Sequence, residues 1–454
     1  MISIKSENTD YLIYIGYNLT EIKQKYAVKS TSSFVSILND NKQISFFEFE
    51  NKVSRNLIIR TDLINEKIKQ LPKDQNMQIM LVFDTYQEIR NALPVVYNFP
   101  IYSKKTSGPQ RKVYLDFVCK EKVDYQELNV LLNGILKTQL LVDMPPNELN
   151  TNRFVQEAKD LVAKLNNEHV SIKVIEGEEL KSKFGGIYNV GKAAVEPPRL
   201  VVLSYLPPSE KTICLVGKGI VYDSGGLSIK ATLFMCGMKH DMGGAASVLA
   251  SFESIVTQKV QKKVYALLCL AENAVSSKSL RNDDIITMYS GKTVEVNNTD
   301  AEGRLVLSDG VAYCSQNLKP DLIVDIATLT GAQLITTGLK HAAILTPSEK
   351  TEQFVIKCGK DSGDLVYPIL YAPEILLDNF KSKVADLKNS VKDRMNAQCS
   401  CAGIFIEQHL GDYKGEWCHV DIAGKCKLIV GPASHEDRGT GYGASLLYEI
   451  VKQY

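Results

Sequence analysis

Two glycine-rich stretches concentrate the residue types that do chemistry. One runs Gly217-Lys218-Gly219-Ile220-Val221-Tyr222-Asp223-Ser224-Gly225-Gly226-Leu227-Ser228-Ile229-Lys230 and continues to His240-Asp241-Met242-Gly243-Gly244. The other is Asn298-Thr299-Asp300-Ala301-Glu302-Gly303-Arg304-Leu305. Asp300, Glu302 and Arg304 occupy every other position, and in an extended segment side chains two apart face the same side. Two carboxylates held that close are costly unless a cation neutralises them, which Arg304 or a metal could do. The plainer alternative for this octet alone is a solvated turn with a local ion pair. Together the stretches hold Asp223, Asp241, Asp300 and Glu302 against Lys218, Lys230 and Arg304. Hard oxygen donors in excess suit Mg, Mn or Zn, and shared carboxylates suit two metals ~3.5–4 Å apart.

Other catalytic plans fit worse. A glycine-rich loop with a lysine suggests a phosphate cradle, but neither GxxxxGK[ST] nor GxGxxG is present. There is no HExxH for a one-zinc protease and no GxSxG elbow for a serine hydrolase. The histidines (His169, His240, His341, His409, His419 and His435) are dispersed without ligand spacing, and only His240 falls beside the two stretches.

The elements that must position these residues read as α/β. Short apolar runs at Tyr11–Gly16, Ser33–Leu38, Ile44–Phe49, Ile79–Phe83 and Val113–Cys119 predict strands, with a helix over Asp62–Leu71. Leu128, Leu131, Leu132, Ile135 and Leu136 give helical spacing over Tyr125–Val142, which Pro145-Pro146 ends. Beyond it, helices (Thr151–Leu165, Gly243–Val256) alternate with apolar strand-length runs (Ile172–Ile175, Leu200–Tyr205, Thr212–Val216, Val264–Leu270, Leu322–Ile326). Fully apolar strands between helices predict a sheet covered on both faces. The glycines after Val216 predict a loop there, and Leu305 onward predicts a helix, so the second stretch falls at a strand-to-helix junction, where α/β folds bind ligands. The expected architecture is a small N-terminal α/β domain over residues 1–135, a linking helix and Pro-Pro turn over 136–150, and a catalytic α/β domain over 151–454 with a mixed central sheet flanked by helices.

Composition bounds the partners. The 454 residues carry 53 Lys+Arg against 52 Asp+Glu, a formal charge of +1, so bulk charge gives no reason to expect nucleic acid or an anionic membrane. No run reaches the ~18–20 apolar residues of a membrane span, and Met1–Asp10 has no signal-peptide pattern. The ten cysteines show no CxxC pair, and Cys399 and Cys401 alone sit close together. They are expected to be reduced, mostly buried thiols of an intracellular protein.

The two stretches, with their spacing from Lys218 through Asp223, Lys230, Asp241, Asp300 and Glu302 to Arg304, resemble the leucine aminopeptidase (cytosol aminopeptidase) family of two-metal exopeptidases. The likeness continues through Met144–Leu149, Gly185-Gly186, Pro197–Leu200, Ala327–Ala332, Ala385–Asn389 and Asp421–Gly424, covering about residues 140–450. Gly219–Lys230, Tyr289–Leu307 and Gly331–Gln333 are most similar to the "probable aminopeptidase-like" branch. The first ~130 residues match only in position and general α/β character.

The resemblance implies a metallo-aminopeptidase hydrolysing N-terminal residues of peptides through a two-metal-activated water. It implies that Lys218, Asp223, Asp241 and Glu302 ligate one divalent metal, and that Asp223, Asp300 and Glu302 ligate the other, helped by the Asp300 carbonyl. The metals would be Zn or Mn, with Mg or Co as alternatives. Lys230 and Arg304 would be catalytic: Lys230 as a cation for the oxyanion, Arg304 as the holder of a bicarbonate serving as general base. Met238, Asn298, Thr328, Leu329, Gly331, Ala423 and Cys426 would bind substrate. The resemblance further implies a cytoplasmic homohexamer acting on peptides. Departures are Cys236-Gly237, where relatives often carry an acid; Ala274-Val275-Ser276, where Met-Pro-Ser is common; and Lys425-Cys426, where the pocket floor lies. No departure removes a ligand. Cys426 is smaller than the Met that relatives commonly carry near that position, which predicts preference for Leu, Met or a larger apolar first residue over Ala, with low activity on Asp or Glu unless Lys425 turns inward. The alternative is a catalytically idle structural or assembly protein of the same fold, which could have lost any of the seven residues yet here keeps all of them.

Overall fold

The computed structural model describes residues 2–454 apart from 6, 8, 73, 108–110, 394, 424–433 and 436–437. The first sheet is built from β1 (Ile2–Ile4), β2 (Tyr11–Gly16), β3 (Phe34–Asn39), β4 (Lys42–Glu48), β5 (Met77–Val82) and β6 (Val113–Val118), in the order β1-β6-β5-β2-β4-β3. Its pairs are parallel except β3–β4. That hairpin turns on Asp40 and Asn41, both at positive φ (49° and 63°), a conformation that asparagine and aspartate tolerate and that two-residue hairpins require.

The helix Tyr125–Asp143 follows. The Asp124 side chain accepts from the Glu127 N–H to start it, and its buried face carries Leu128, Leu131, Leu132 and Ile135. The second sheet comprises β7 (Val170–Ile175), β8 (Arg199–Tyr205), β9 (Thr212–Asp223) and β10 (Lys263–Asn273). After the short β11 (Ile285–Thr287) and β12 (Thr293–Glu295), it continues with β13 (Leu322–Ala327), β14 (Ala342–Leu345) and β15 (Val366–Pro368). The two-residue β16 (Leu387–Lys388) pairs with β12, and β17 (Glu416–Asp421) completes the large sheet. Its order is β15-β14-β17-β13-β9-β10-β8-β7. The centre is parallel (β17-β13-β9-β10), whereas β8–β10, β7–β8 and β14–β17 are antiparallel. This is the expected mixed sheet.

Alternate residues of β9 pack into opposite layers. Ile213 and Leu215 join a cluster with the helices Gly243–Thr257 and Ala444–Gln453. Cys214 and Val216 join another with the helices Glu302–Tyr313 and Gln398–Glu407. The first cluster also takes in the N-terminal sheet and the linking helix, from Ile2 through Val113, Leu128 and Leu161 to Val451. The two sheets are thus separate as hydrogen-bonded units but share buried apolar contact. Of the nine described cysteines, seven are buried, Cys119 is half-buried and Cys236 is exposed.

Two local expectations are corrected. The glycine-rich run after Val216 is not a loop: β9 continues unbroken to Asp223. A Cβ on Gly217 would lie 2.5 Å from Ala245 Cα, and one on Gly219 3.3 Å from Ala245 Cβ and 2.6 Å from Leu270 Cδ2 of β10. Glycine here lets the helix Gly243–Thr257 lie close on the strand, rather than letting the chain turn. The turn comes later, at Gly225 and Gly226, with φ of 85° and 62°. The second correction concerns Asp300-Ala301-Glu302-Gly303-Arg304, which is not extended. The helix starts at Glu302, three residues before the expected Leu305, and Arg304 lies within it.

Candidate active site

The residues singled out in the two stretches meet at the carboxyl ends of β9 and β13. Lys218 projects from within β9 and Asp223 closes that strand; Lys230 follows the Gly225-Gly226 turn. Asp241 stands just ahead of the helix Gly243–Thr257, Asp300 in the approach to the next helix, and Glu302 on that helix's first turn. All six line one cavity of about 480 Å³.

Lys218 Nζ lies 2.7 Å from Asp241 Oδ1, 2.9 Å from Glu302 Oε1 and 3.0 Å from the Thr328 carbonyl. Lys230 Nζ lies 2.7 Å from Asp223 Oδ2 and 2.6 Å from Asp300 Oδ1. One ligand oxygen each from Asp223, Asp300 and Glu302 falls within 4.8 Å of the others. The remaining atoms of these side chains are positioned by neighbours. Asp223 Oδ1 accepts from the Gly225 N–H and from Asn273 Nδ2, both at 2.8 Å, and Thr328 Oγ1 donates to Asp241 Oδ1 at 2.9 Å.

The electrostatics leave this cluster short of positive charge. Burial pushes the carboxyls of Asp241, Asp300 and Glu302 above their ordinary range. Burial also opposes the charges on Lys218 and Lys230. Asp241 and Glu302 around the first, and Asp223 and Glu302 around the second, outweigh it and hold both lysines above their usual value. Four carboxylates face two ammonium groups, and the buried Asp241 Oδ2 and Glu302 Oε2 have no hydrogen-bond donor among the described residues. Buried anionic oxygens without donors are expensive. An oxygen-rich donor set with two open carboxylate oxygens fits hard divalent cations.

Arg304 is buried beside this cluster, within reach of the charges of Glu302 and Asp300, and is not among the residues that line the cavity. Its Nη1 donates to the Asn389 carbonyl at 2.9 Å, its Nε has no acceptor among the described residues, and burial lowers its pKa. The alternation argument that joined it to Asp300 and Glu302 fails because the segment is helical. Met238, Asn298, Thr328, Leu329, Gly331 and Ala423 do line the cavity, along with His240 and Phe234. Cys426 and Lys425 lie outside the described residues.

Three residues were given no role by the reading of the sequence, although Asn389 and Asp421 lie in segments that carry the family likeness. Asn273 pairs in register with Asp223 and also donates to the Thr299 carbonyl at 3.0 Å. Its signal was a polar residue closing a strand whose centre, Ala266–Ala271, is apolar. Asn389 is fully buried: Nδ2 donates to the Asn298 carbonyl at 2.7 Å, and Oδ1 accepts from the Asn297 N–H at 2.9 Å, so it fixes the segment leading to Asp300. Asp421 supports the cavity wall from behind. The likeness marks the segments of the last two but not what these side chains do, because the partners that define their roles are about 90 residues away in sequence.

Fold and site together define a hydrolase of peptides, and the chain belongs to the cytosol aminopeptidase family: residues 137–448 match that family's catalytic domain. It is an aminopeptidase. A mouse relative, "Probable aminopeptidase NPEPL1", is 45% identical over 394 residues, covering 84% of this chain and 73% of its own. The leucine aminopeptidase LAP1 structure from Caenorhabditis elegans superposes with a TM-score of 0.89 at 36% identity, covering 100% of this chain and 98% of that one. The leucyl aminopeptidase of Trypanosoma brucei, solved in complex with bestatin, gives 0.89 at 34% identity, over 98% of this chain and 92% of its own. Among the described residues no helix is long and apolar enough to cross a membrane.

Proposed function

We propose that this aminopeptidase uses two divalent metal ions to remove N-terminal, preferably apolar, residues from peptides. The observation that carries the reading is the convergence of Lys218, Asp223, Asp241, Asp300 and Glu302 on one cavity, with two buried carboxylate oxygens left open. Lys218, Asp223, Asp241 and Glu302 would hold one ion, and Asp223, Asp300 and Glu302 the other. To ligate, Lys218 must lose the proton that Asp241 and Glu302 favour, a balance that a dication in the same pocket reverses. When bound, the pair of ions would supply an ionised water and an electrophile for the scissile carbonyl.

The chain's own residues do the rest. Lys230 keeps its charge, because Asp223 and Asp300 stand against it, and offers a fixed cation to the developing oxyanion. Arg304, with an open Nε and one bond to the Asn389 carbonyl, is the candidate holder of bicarbonate as general base. Met238, Thr328, Leu329, Gly331 and Ala423 form the wall for the first side chain, with Asn298 beside it. Among the described residues, the two lysines that line the cavity, Lys218 and Lys230, are both engaged by carboxylates, which argues against acidic first residues. We place the work in the cytoplasm, in a homohexamer, and divide the chain at 1–135, 136–150 and 151–454.

The test is hydrolysis of Ala, Leu, Met, Phe and Asp arylamides, before and after chelation, with Mn or Zn restored. Activity lost on chelation, regained with metal and highest for Leu, Met or Phe is the expected result. A kcat/KM for Asp equal to that for Leu would refute the apolar pocket, and activity indifferent to chelation would refute the metals.

A further inference from the structure

Asp421, at the end of β17, is fully buried and does not line the cavity. Its two oxygens nevertheless hold two separate stretches of the cavity wall. Oδ1 accepts backbone N–H groups from Leu329 at 3.2 Å, Thr330 at 3.4 Å and Ala423 at 3.1 Å. Oδ2 accepts the Thr330 hydroxyl at 2.7 Å and the Cys399 thiol at 3.3 Å. Leu329, Thr330 and Ala423 all face the cavity.

The sheet explains why one side chain reaches both stretches. β13 and β17 are parallel neighbours, and Ala327 pairs with Asp421. The chain leaves both strands at the same edge, and the carboxylate stands between the exits. A buried carboxylate must fill its acceptor sites, and here it does so with donors from the two walls, so their separation is fixed by one group. The Thr330 hydroxyl also accepts from the Gln333 N–H at 3.2 Å, which ties the start of the helix Gly331–Thr336 to the same anchor.

Resting on the reading that this cavity receives the first side chain, we propose that Asp421 is the positioning residue that sets selectivity for that side chain, by holding the Leu329–Gly331 and Ala423 walls at one spacing. It touches neither the carboxylate cluster nor the space for the substrate. Its loss should therefore change discrimination between side chains rather than metal content.

The experiment compares the wild type, Asp421→Ala, Asp421→Asn and Thr330→Val in the full chain with Mn added. It reads kcat and KM on Leu and Ala arylamides, bound metal and Tm. Asp421→Ala should reduce the Leu-over-Ala ratio of kcat/KM by about tenfold, mainly through KM, with bound metal unchanged. Asp421→Asn keeps an acceptor for the three N–H groups and should retain most of the ratio. Thr330→Val removes one of the carboxylate's donors, together with the cap on the Gln333 N–H, and should fall between; it decides the matter if Asp421→Ala does not fold. A purely structural role would lower both substrates by one factor. An unchanged ratio in the folded variants, or loss of metal in Thr330→Val, would overturn the proposal. A wild type that cleaves no arylamide with metal present would instead overturn the proposed function, and this inference with it.

Discussion

Lys230 and Asp223 touch each other, but their expected roles separate on substitution. Removing one oxyanion stabiliser typically lowers kcat ~10²–10³-fold. Lys230→Ala is thus expected to lose about that much kcat while keeping its metal, whereas Asp223→Ala should lose metal and activity together. Metal analysis beside steady-state kinetics checks both, and full kcat in Lys230→Ala would end the assignment. His409 gives a prediction about pH. Burial, reinforced by Lys292, pushes its pKa down from 6.5 to about 3, and its Nδ1 meets Ser290 Oγ at 2.8 Å. The folded state then binds fewer protons than the unfolded chain between those values, so stability is lost as pH falls below about 6.5. Asp309 acts in the opposite sense. Burial raises it to about 7 despite N–H donors from Tyr289 and Ile187, so its contribution grows as pH falls. His409→Gln should be less stable than the wild type at pH 7.5 but lose less on going to pH 5. Parallel urea-unfolding results at the two pH values would contradict this.

At the scale of elements, glycine sets how closely the helix Gly243–Thr257 approaches the sheet. A Cβ on Gly244 would overlap the Ile326 carbonyl oxygen and stand 3.0 Å from the Lys218 N. Ile326 pairs with β9 on one side and β17 on the other, so that oxygen cannot yield without disturbing the sheet. Alanine in a helix interior is favoured over glycine by about 1 kcal/mol. Overpacking against a fixed neighbour costs roughly 1–3 kcal/mol, and backbone is the least yielding neighbour. The clash should win: Gly244→Ala is expected to lower the urea midpoint and to weaken metal retention, since Lys218 sits on the displaced strand. An equal or higher midpoint would show that the helix can lift away freely.

For the whole molecule, the linking helix Tyr125–Asp143 and the C-terminal helix Ala444–Gln453 tie the two sheets into one apolar cluster. A buried ionic group reinforces them. Arg90 of the N-terminal part pairs with Glu449, and Glu127 of the linking helix accepts from Lys452 at 2.6 Å. The proposed homohexamer should run at roughly 300 kDa, six times the 50.5 kDa chain mass. Light scattering at micromolar concentration decides this, and a monomer there would remove the assembly from the proposal.

The sequence alone determined most of the strands and helices, because alternation and helical spacing are local properties. Thr151–Leu165 and Tyr11–Gly16 fall where they were expected. It also determined the family, because the acidic and basic residues keep their types and spacing. What it misread was the meaning of glycine and of alternation. Gly217 and Gly219 looked like a turn and are a strand under a helix; Asp300, Glu302 and Arg304 looked coplanar and are split by a helix start. In each case two structures share one local pattern, and the choice is made by a partner far along the chain. Only the tertiary structure decided that Asn273, Asn389 and Asp421 matter. The hydrogen bonds of Asn273 and Asp421 join segments that meet because β9 lies beside β10 and β13 beside β17, and those of Asn389 join segments brought together by the β12–β16 pair.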